Sequence, residues 1–223
     1  LSRLTVGGHG SKTLHAAELH GKRLDASSQS RQVSKKPPVV HGGLDLEQLF
    51  TAHAEGCKMD KRTRSPVIHA LVQWPTGLQV NEANERAMLA HATKFMNLVF
   101  GGEAVFAARL DRDEAAKHAV DVFLSPITTK TSAKGVSSRW IQPSAHLKAL
   151  CHKHKAEIIR RHPTIKPKNN DNKRCQGIAL QSEWRAYVED LGITLDAKRE
   201  KGSSAPDRLS PEEYALMERE KAL

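Results

Sequence analysis

The residues that could do chemistry crowd into one short stretch, Asp111-Arg112-Asp113-Glu114 followed by His118. Three carboxylates and one imidazole gathered at the end of a hairpin could hold a divalent cation. Oxygen ligands with a single imidazole suit manganese or magnesium better than structural zinc. A solvated acidic turn followed by a partly buried histidine explains the same residues more plainly. A second group, His20-Gly21-Lys22-Arg23, sets an imidazole and a guanidinium three positions apart. They are neighbours on a helix surface if the helix survives Gly21, and an ordinary basic helix end otherwise. A third group, Lys130, Lys134, Arg139 and Trp140, mixes cations with one aromatic. That mixture suits the phosphates and bases of a single strand, though an exposed loop explains it nearly as well. Cys151, His152, His154, His162 and Cys175 invite a zinc reading, and His146 and His152 are spaced for one ligand pair. No C-x-x-C partners them, so the segment reads as a basic helix.

These groups need elements to carry them. Residues 104–110 and 117–124 alternate with period two and are apolar on nearly both faces, which predicts two central strands joined by the acidic turn. In the first, Ala104, Phe106, Ala108 and Leu110 share a face; in the second, His118, Val120, Val122 and Leu124 do. Pro66–Trp74 reads as a third strand, and Leu1–Gly10 as a first strand ending in a glycine turn. Lys12–Leu24, with Leu14, Ala17 and Leu24 packing, and Leu44–Glu55, with Leu46, Leu49 and Phe50, read as helices. Glu82–Phe100 reads as a helix N-capped by Asn81, with Met88, Ala92, Phe95 and Val99 inward and Gly101-Gly102 stopping it. Residues 25–43 and 127–143 read as long polar segments, the second flexible and basic. Ser144–Arg161, Gln176–Leu191 (Leu180, Trp184, Tyr187 and Leu191 inward) and Pro211–Leu223 read as further helices. Helices interleaved with antiparallel strands predict an α+β fold.

The 223 residues suffice for one large domain or a domain with a helical appendage. Lys plus Arg number 35 against 25 Asp plus Glu, a formal +10, which favours a polyanionic partner, nucleic acid first. No stretch approaches the roughly 20 apolar residues of a spanning helix. Three scattered cysteines form no disulfide framework and fit a reducing cytoplasm.

Two separated pieces of the chain resemble the motifs of one family. Asp111-Arg112-Asp113-Glu114-Ala115-Ala116-Lys117-His118-Ala119-Val120 keeps the register of H-x-D-E-x-x-P-H-x-H, and His20-Gly21-Lys22-Arg23-Leu24 that of H-N-x-R-E. Both resemble the MobV (Mob/Pre, plasmid recombination) relaxases, a branch of the HUH endonucleases that nick one DNA strand at a plasmid transfer origin. The strand before Glu82–Phe100, the helix around Tyr187 and the S-P-E-E-Y segment at Tyr214 are similar as well, so the resemblance spans most of the chain.

The resemblance implies an HUH relaxase-like central antiparallel sheet flanked by helices in residues 1–143, with a helical C-terminal extension, 144–223, packed on it. It implies His20 as the nucleophile on the scissile phosphate, leaving a phosphoramidate link to DNA, with Arg23 neutralising a phosphate oxygen. Tyr187 and Tyr214 are the only tyrosines, so the N-terminal tyrosine of other relaxases is missing. It also implies a Mn2+ or Mg2+ ion to polarise the phosphate, with Asp111 and His118 at ligand positions and Glu114 matching the family's acid. The third ligand position falls on Val120, which cannot bind a metal. Asp121 stands next to it, on the opposite strand face unless a bulge turns it. Gly21 and Leu24 replace the family's Asn and Glu. Lys12, Lys22, Lys130 and Arg139 are candidate phosphate contacts from charge and placement. The setting implied is the bacterial cytoplasm, with single-stranded or hairpin origin DNA as partner and other mobilisation or secretion-coupling proteins beside it. The competing readings are an HUH-like DNA-binding module that has lost its chemistry, which Val120 suggests, and a rolling-circle replication initiator or transposase of the same superfold.

Overall fold

The computed structural model of the chain describes residues 4–9, 11–61, 63, 65–115, 118–161, 163–164, 171–193, 195 and 220. The expected final helix, with Tyr214, lies outside them apart from Glu220. The strands are β1 (Leu4–His9), β2 (Val39–His41), β3 (Cys57–Met59), β4 (Val67–Gln73), β5 (Val105–Leu110), β6 (Ala119–Leu124), β7 (Ile127–Thr131) and β8 (Ser137–Ile141). The helices are α1 (Ser11–Gly21), α2 (Ala26–Arg31), α3 (Leu46–His53), α4 (Glu82–Val99), α5 (Pro143–Lys153), α6 (Lys155–Arg161) and α7 (Lys173–Asp190).

The main sheet has the order β1-β4-β6-β5-β2, with every pairing antiparallel. The apolar β5 and β6 are therefore interior strands, as their two-sided hydrophobicity requires. Alternation sorts the side chains between two cores. On one face Ile68, Ala70, Val72, Ala108, Leu110, Val120, Val122 and Leu124 pack against α4 and α7, with Phe95 and Trp184 at the centre. On the other, Val67, Phe106, Ala107 and Phe123 pack under α1 and α3 through Leu14, Leu46, Leu49 and Phe50. A bulge between Val105 and Ala107 shifts the phase of β5. It moves Phe106 off the face it was expected to share with Ala108 and puts it beside Ala107.

The joins follow from local chemistry. Asn81 caps α4 by accepting from the Asn84 N–H at 2.9 Å, and Gly101 and Gly102, both at positive φ, end it. The Asn97 carboxamide oxygen then accepts from the Ala104 and Val105 N–H groups, pinning the start of β5 to the helix. Asn172 caps α7, which starts ahead of the expected Gln176. Trp184 packs edge-on against Trp74 (5.0 Å) and Phe95 (4.9 Å) and stacks on Tyr187. Leu147, Leu150, Ile158 and Cys175 from the C-terminal helices join the same core.

Several sequence expectations need correction. Residues 127–143 are not an irregular stretch: β7 and β8 pair as a hairpin, and β3 adds to β8 in parallel, making a second sheet. The polar segment 25–43 contains α2 and the edge strand β2. Ser144–Arg161 is broken at His154 into two helices. Leu24 and Leu191 are exposed rather than packed.

Candidate functional site

The site lies on the α1 face of the main sheet. Arg109, Asp121 and Leu71 are directly paired across β5, β6 and β4, so they share that face. Asp111 continues the phase of Arg109 beyond the end of β5. A cavity of about 560 Å³ opens there, lined by Thr13, His20, Arg31, His69, Gln73, Arg109, Asp111, Glu114 and Asp121 among others. A larger cavity of about 1030 Å³ lies against β2 and α4, and none of His20, Asp111, Glu114 or Asp121 lines it.

His20 sits in the last turn of α1, and the way that helix ends places both it and Arg23. The Leu24 N–H donates to the Leu19 carbonyl (2.9 Å) and the Arg23 N–H to that of His20 (3.1 Å). This is a Schellman termination, whose left-handed position usually holds glycine. Here Arg23 occupies it at φ 58°. That conformation costs a non-glycine residue roughly 1–2 kcal/mol, and the side chain is strongly anchored in return. Its Nε and Nη2 donate to the two Asp113 oxygens (2.9 and 2.5 Å), and its Nη1 to Glu114 Oε1 (2.7 Å). Asp111 Oδ2 lies 3.3 Å from Nη2. The first helix and the acidic turn are thus locked together by one arginine.

His20 Nδ1 lies 3.3 Å from Asp25 Oδ2, and Nε2 lies 3.8 Å from Glu114 Oε1. Asp25 is fixed by capping α2, where its other oxygen accepts from the Ser28 N–H at 3.0 Å. That hydrogen bond, helped by the Ser28 hydroxyl and by His20, holds its carboxyl below the usual range. Asp25 Oδ2 is buried with no hydrogen bond of its own, at ion-pair distance from His20 Nδ1. A proton on Nδ1 would leave the lone pair on Nε2, on the side of Glu114.

Arg109 lies across the floor of the cavity, its side chain only 6% exposed. Nε donates to Asp111 Oδ2 (3.2 Å), Nη2 to Asp121 Oδ2 (3.2 Å) and Nη1 to the Ala17 carbonyl (3.3 Å). Asp121 also pairs with His69 Nε2 at 2.5 Å, and the His69 ring stacks on Phe123 at 4.6 Å. Burial pushes the Asp121 carboxyl up, but the His69 hydrogen bond and the Arg109 charge outweigh it and hold the group below the usual range. Asp113 is also held low, chiefly by Arg23.

The expected site residues divide accordingly. His20, Arg23, Asp111, Glu114 and Asp121 come together. His118 does not: its Nε2 bonds the Leu78 carbonyl at 2.8 Å, one position out of phase with the site face. Val120 is fully buried against the α4 layer. No bulge is needed to bring Asp121 in, because the face bearing Ala119, Asp121 and Phe123 is the site face of β6. A one-residue offset exchanges the two faces of a strand. Lys22 is held by Glu18 (2.6 Å) and Asp45 (2.7 Å), so its charge ties α1 to the start of α3. Lys12 is in α1, with its side chain outside the described part. Lys130 and Arg139 lie on the β7–β8 hairpin, where Lys130 and Lys58 stand 4.7 and 5.9 Å from the Trp140 ring centre. Sequence reasoning missed His69 and Arg109. The signal available was phase, since each is a polar residue inside an otherwise apolar strand.

Among the described residues, no three His, Cys, Asp or Glu side chains converge to hold a metal ion. The oxygen donors are present, but guanidinium groups stand on each of Asp111, Glu114 and Asp121. The arrangement does not fit a divalent cation.

No family model and no curated protein matches the chain. Solved structures do. The MobM relaxase domain (MOBV; Mob_Pre), manganese-bound with plasmid pMV158 oriT DNA of 22 nucleotides carrying a 3′ thiophosphate, superposes with a TM-score of 0.60. The match covers 97% of this chain and 98% of that one at 11% identity. The fold is that of a relaxase domain. A second manganese-bound MobM complex with the 22-nucleotide DNA covers 100% and 99% at 12% identity and a TM-score of 0.56. A MobM complex with 26-nucleotide oriT DNA gives 96% and 98% at 9% identity and 0.53.

Proposed function

We propose that this domain binds single-stranded DNA and exchanges one phosphodiester linkage for a covalent protein–DNA bond, as the nicking and rejoining step of a plasmid or mobile-element relaxase. The observation that carries the reading is His20: an imidazole with the half-buried Asp25 carboxylate 3.3 Å from Nδ1 and with Nε2 toward an acid- and arginine-lined cavity. The near-complete overlap with a domain solved on oriT DNA supports it.

In the reaction His20 Nε2 attacks the scissile phosphorus, the P–N bond forms, and the P–O3′ bond breaks. The departing 3′ oxygen takes a proton from solvent and becomes a hydroxyl. Attack leaves positive charge on the ring, which Asp25 stabilises through Nδ1. Arg23 and Arg109 supply fixed positive charge beside the cavity, as charge developing on phosphate oxygens requires. Reversal, with the 3′ hydroxyl attacking the phosphoramidate, releases His20 and rejoins the strand. In the second sheet, Lys130 of β7 and Lys58 of β3 stand by the Trp140 ring of β8, an aromatic with two cations, a combination that takes stacked bases and their phosphates.

The test is incubation of the protein with labelled single-stranded oligonucleotides from the transfer origin of the element that encodes it. A protein–DNA adduct that is acid-labile, as phosphoramidates are, and absent in His20→Ala is expected. DNA binding with no adduct under any metal would favour the binding module instead.

A further inference from the structure

The manganese in the MobM complexes and the guanidinium-filled site of this chain disagree, and the disagreement is specific. We propose that Arg109 is this site's built-in cation: its guanidinium holds the place between Asp111 and Asp121 that a divalent ion would need, so the site takes no such ion.

Four observations support this. Asp111 and Asp121 are oxygen donors on one strand face, yet Arg109 makes ion pairs of 3.2 Å to both. Its third bond, to the Ala17 carbonyl, anchors the group to α1, so it is held from three sides at 6% exposure. Room for it is made by Gly21. A Cβ at that position would stand 2.1 Å from Arg109 Nη1, so a larger residue there and the present guanidinium position exclude each other. Finally, two guanidiniums already serve these acids: Arg23 pairs with Asp111, Asp113 and Glu114, Arg109 pairs with Asp111 and Asp121, and His69 bonds Asp121. A divalent ion entering this set would have to evict a buried guanidinium from two carboxylates and meet its positive charge nearby. These three bonds use three of the five guanidinium N–H groups, leaving donors for a phosphate oxygen.

The binding part of the proposal stands apart from the nicking reading; only the consequence for activity rests on it. The test is titration with Mn2+ alone, read by the loss of the free-ion electron paramagnetic resonance signal. The wild-type chain is expected to take up no Mn2+ at the site. Arg109→Ala should gain a site at least about tenfold tighter, which the added change Asp121→Asn removes. Gly21→Ala, which displaces the guanidinium while keeping it, should move part of the way. Thermal melting shows which variants fold, and the wild-type titration remains decisive if Arg109→Ala does not. Wild-type uptake of Mn2+ that Asp121→Asn abolishes would overturn the proposal, as would folded Arg109→Ala and Gly21→Ala proteins that both gain nothing. Nicking, once detected, should persist in EDTA. Absence of nicking under every condition would count against the proposed function and leave the Mn2+ result to decide this inference alone.

Discussion

A histidine attacks phosphorus only from a nitrogen that carries a lone pair, so the partner of its other nitrogen matters. For His20 that neighbour is Asp25, whose Oδ2 lies 3.3 Å from Nδ1. Asp25→Asn, which can present either face of its amide, should slow adduct formation by about 10²-fold while DNA affinity stays unchanged. Single-turnover rates alongside equilibrium binding would check both halves. Arg23 works differently, as a tie between the end of α1 and the acidic turn. The sequence brought His20, Arg23, Asp111 and Glu114 to attention because each lies within a short polar run. Arg109 and His69 lie inside apolar strands, where periodicity predicts packing, and only the pairing of strands distant in sequence reveals their shared face. His118 misled for the same reason: its spacing from Asp111 fits a motif, but strand phase decides which way a side chain points.

The element that holds the site together is the turn after β5, fastened by Asp113 to Arg23 and to Gln32 on the neighbouring segment. Asp113 is buried and accepts from two Arg23 nitrogens and from Gln32, so Asp113→Asn, which weakens those bonds while Arg23 keeps Glu114 and Asp111, should cost about 1–3 kcal/mol, measurable by urea denaturation. The pH dependence follows from the same contact. A carboxyl whose pKa is lowered in the folded state contributes stability above its unfolded value near 3.9, and that stability is lost as the pH falls through the folded value. Asp113 and Asp121 both behave this way. The wild-type domain should lose stability more steeply below about pH 4 than Asp113→Asn does, seen in melting temperatures across acidic buffers. The β7–β8 hairpin is the element the sequence hid. Its Thr, Ser and Lys residues lack apolar alternation because most of them face solvent, and its partner β3 comes from a distant charged run. Trp140→Ala should weaken single-stranded DNA binding by about 1–3 kcal/mol without lowering the melting temperature of the core.

At the scale of the whole molecule, the α+β class, the central position of β5 and β6 and the inward stripe of α4 were legible from hydrophobic periodicity alone. The two cores, with Trp184 buried in the larger, explain why the arrangement is stable enough to carry a polar site. Trp184→Ala should cost about 3–5 kcal/mol, read by chemical denaturation. What periodicity could not give is the balance of charge inside the site. The excess of 10 positive charges belongs to the chain as a whole, while the cavity beside His20 gathers acids and neutralises them with arginines. The central claim is that this cavity makes a covalent bond to DNA through His20. The most direct measurement is mass spectrometry of the protein after reaction with single-stranded origin DNA. A nucleotide adduct mapped to His20 and missing from His20→Ala is expected. An adduct on another residue, or efficient nicking by His20→Ala, would contradict it.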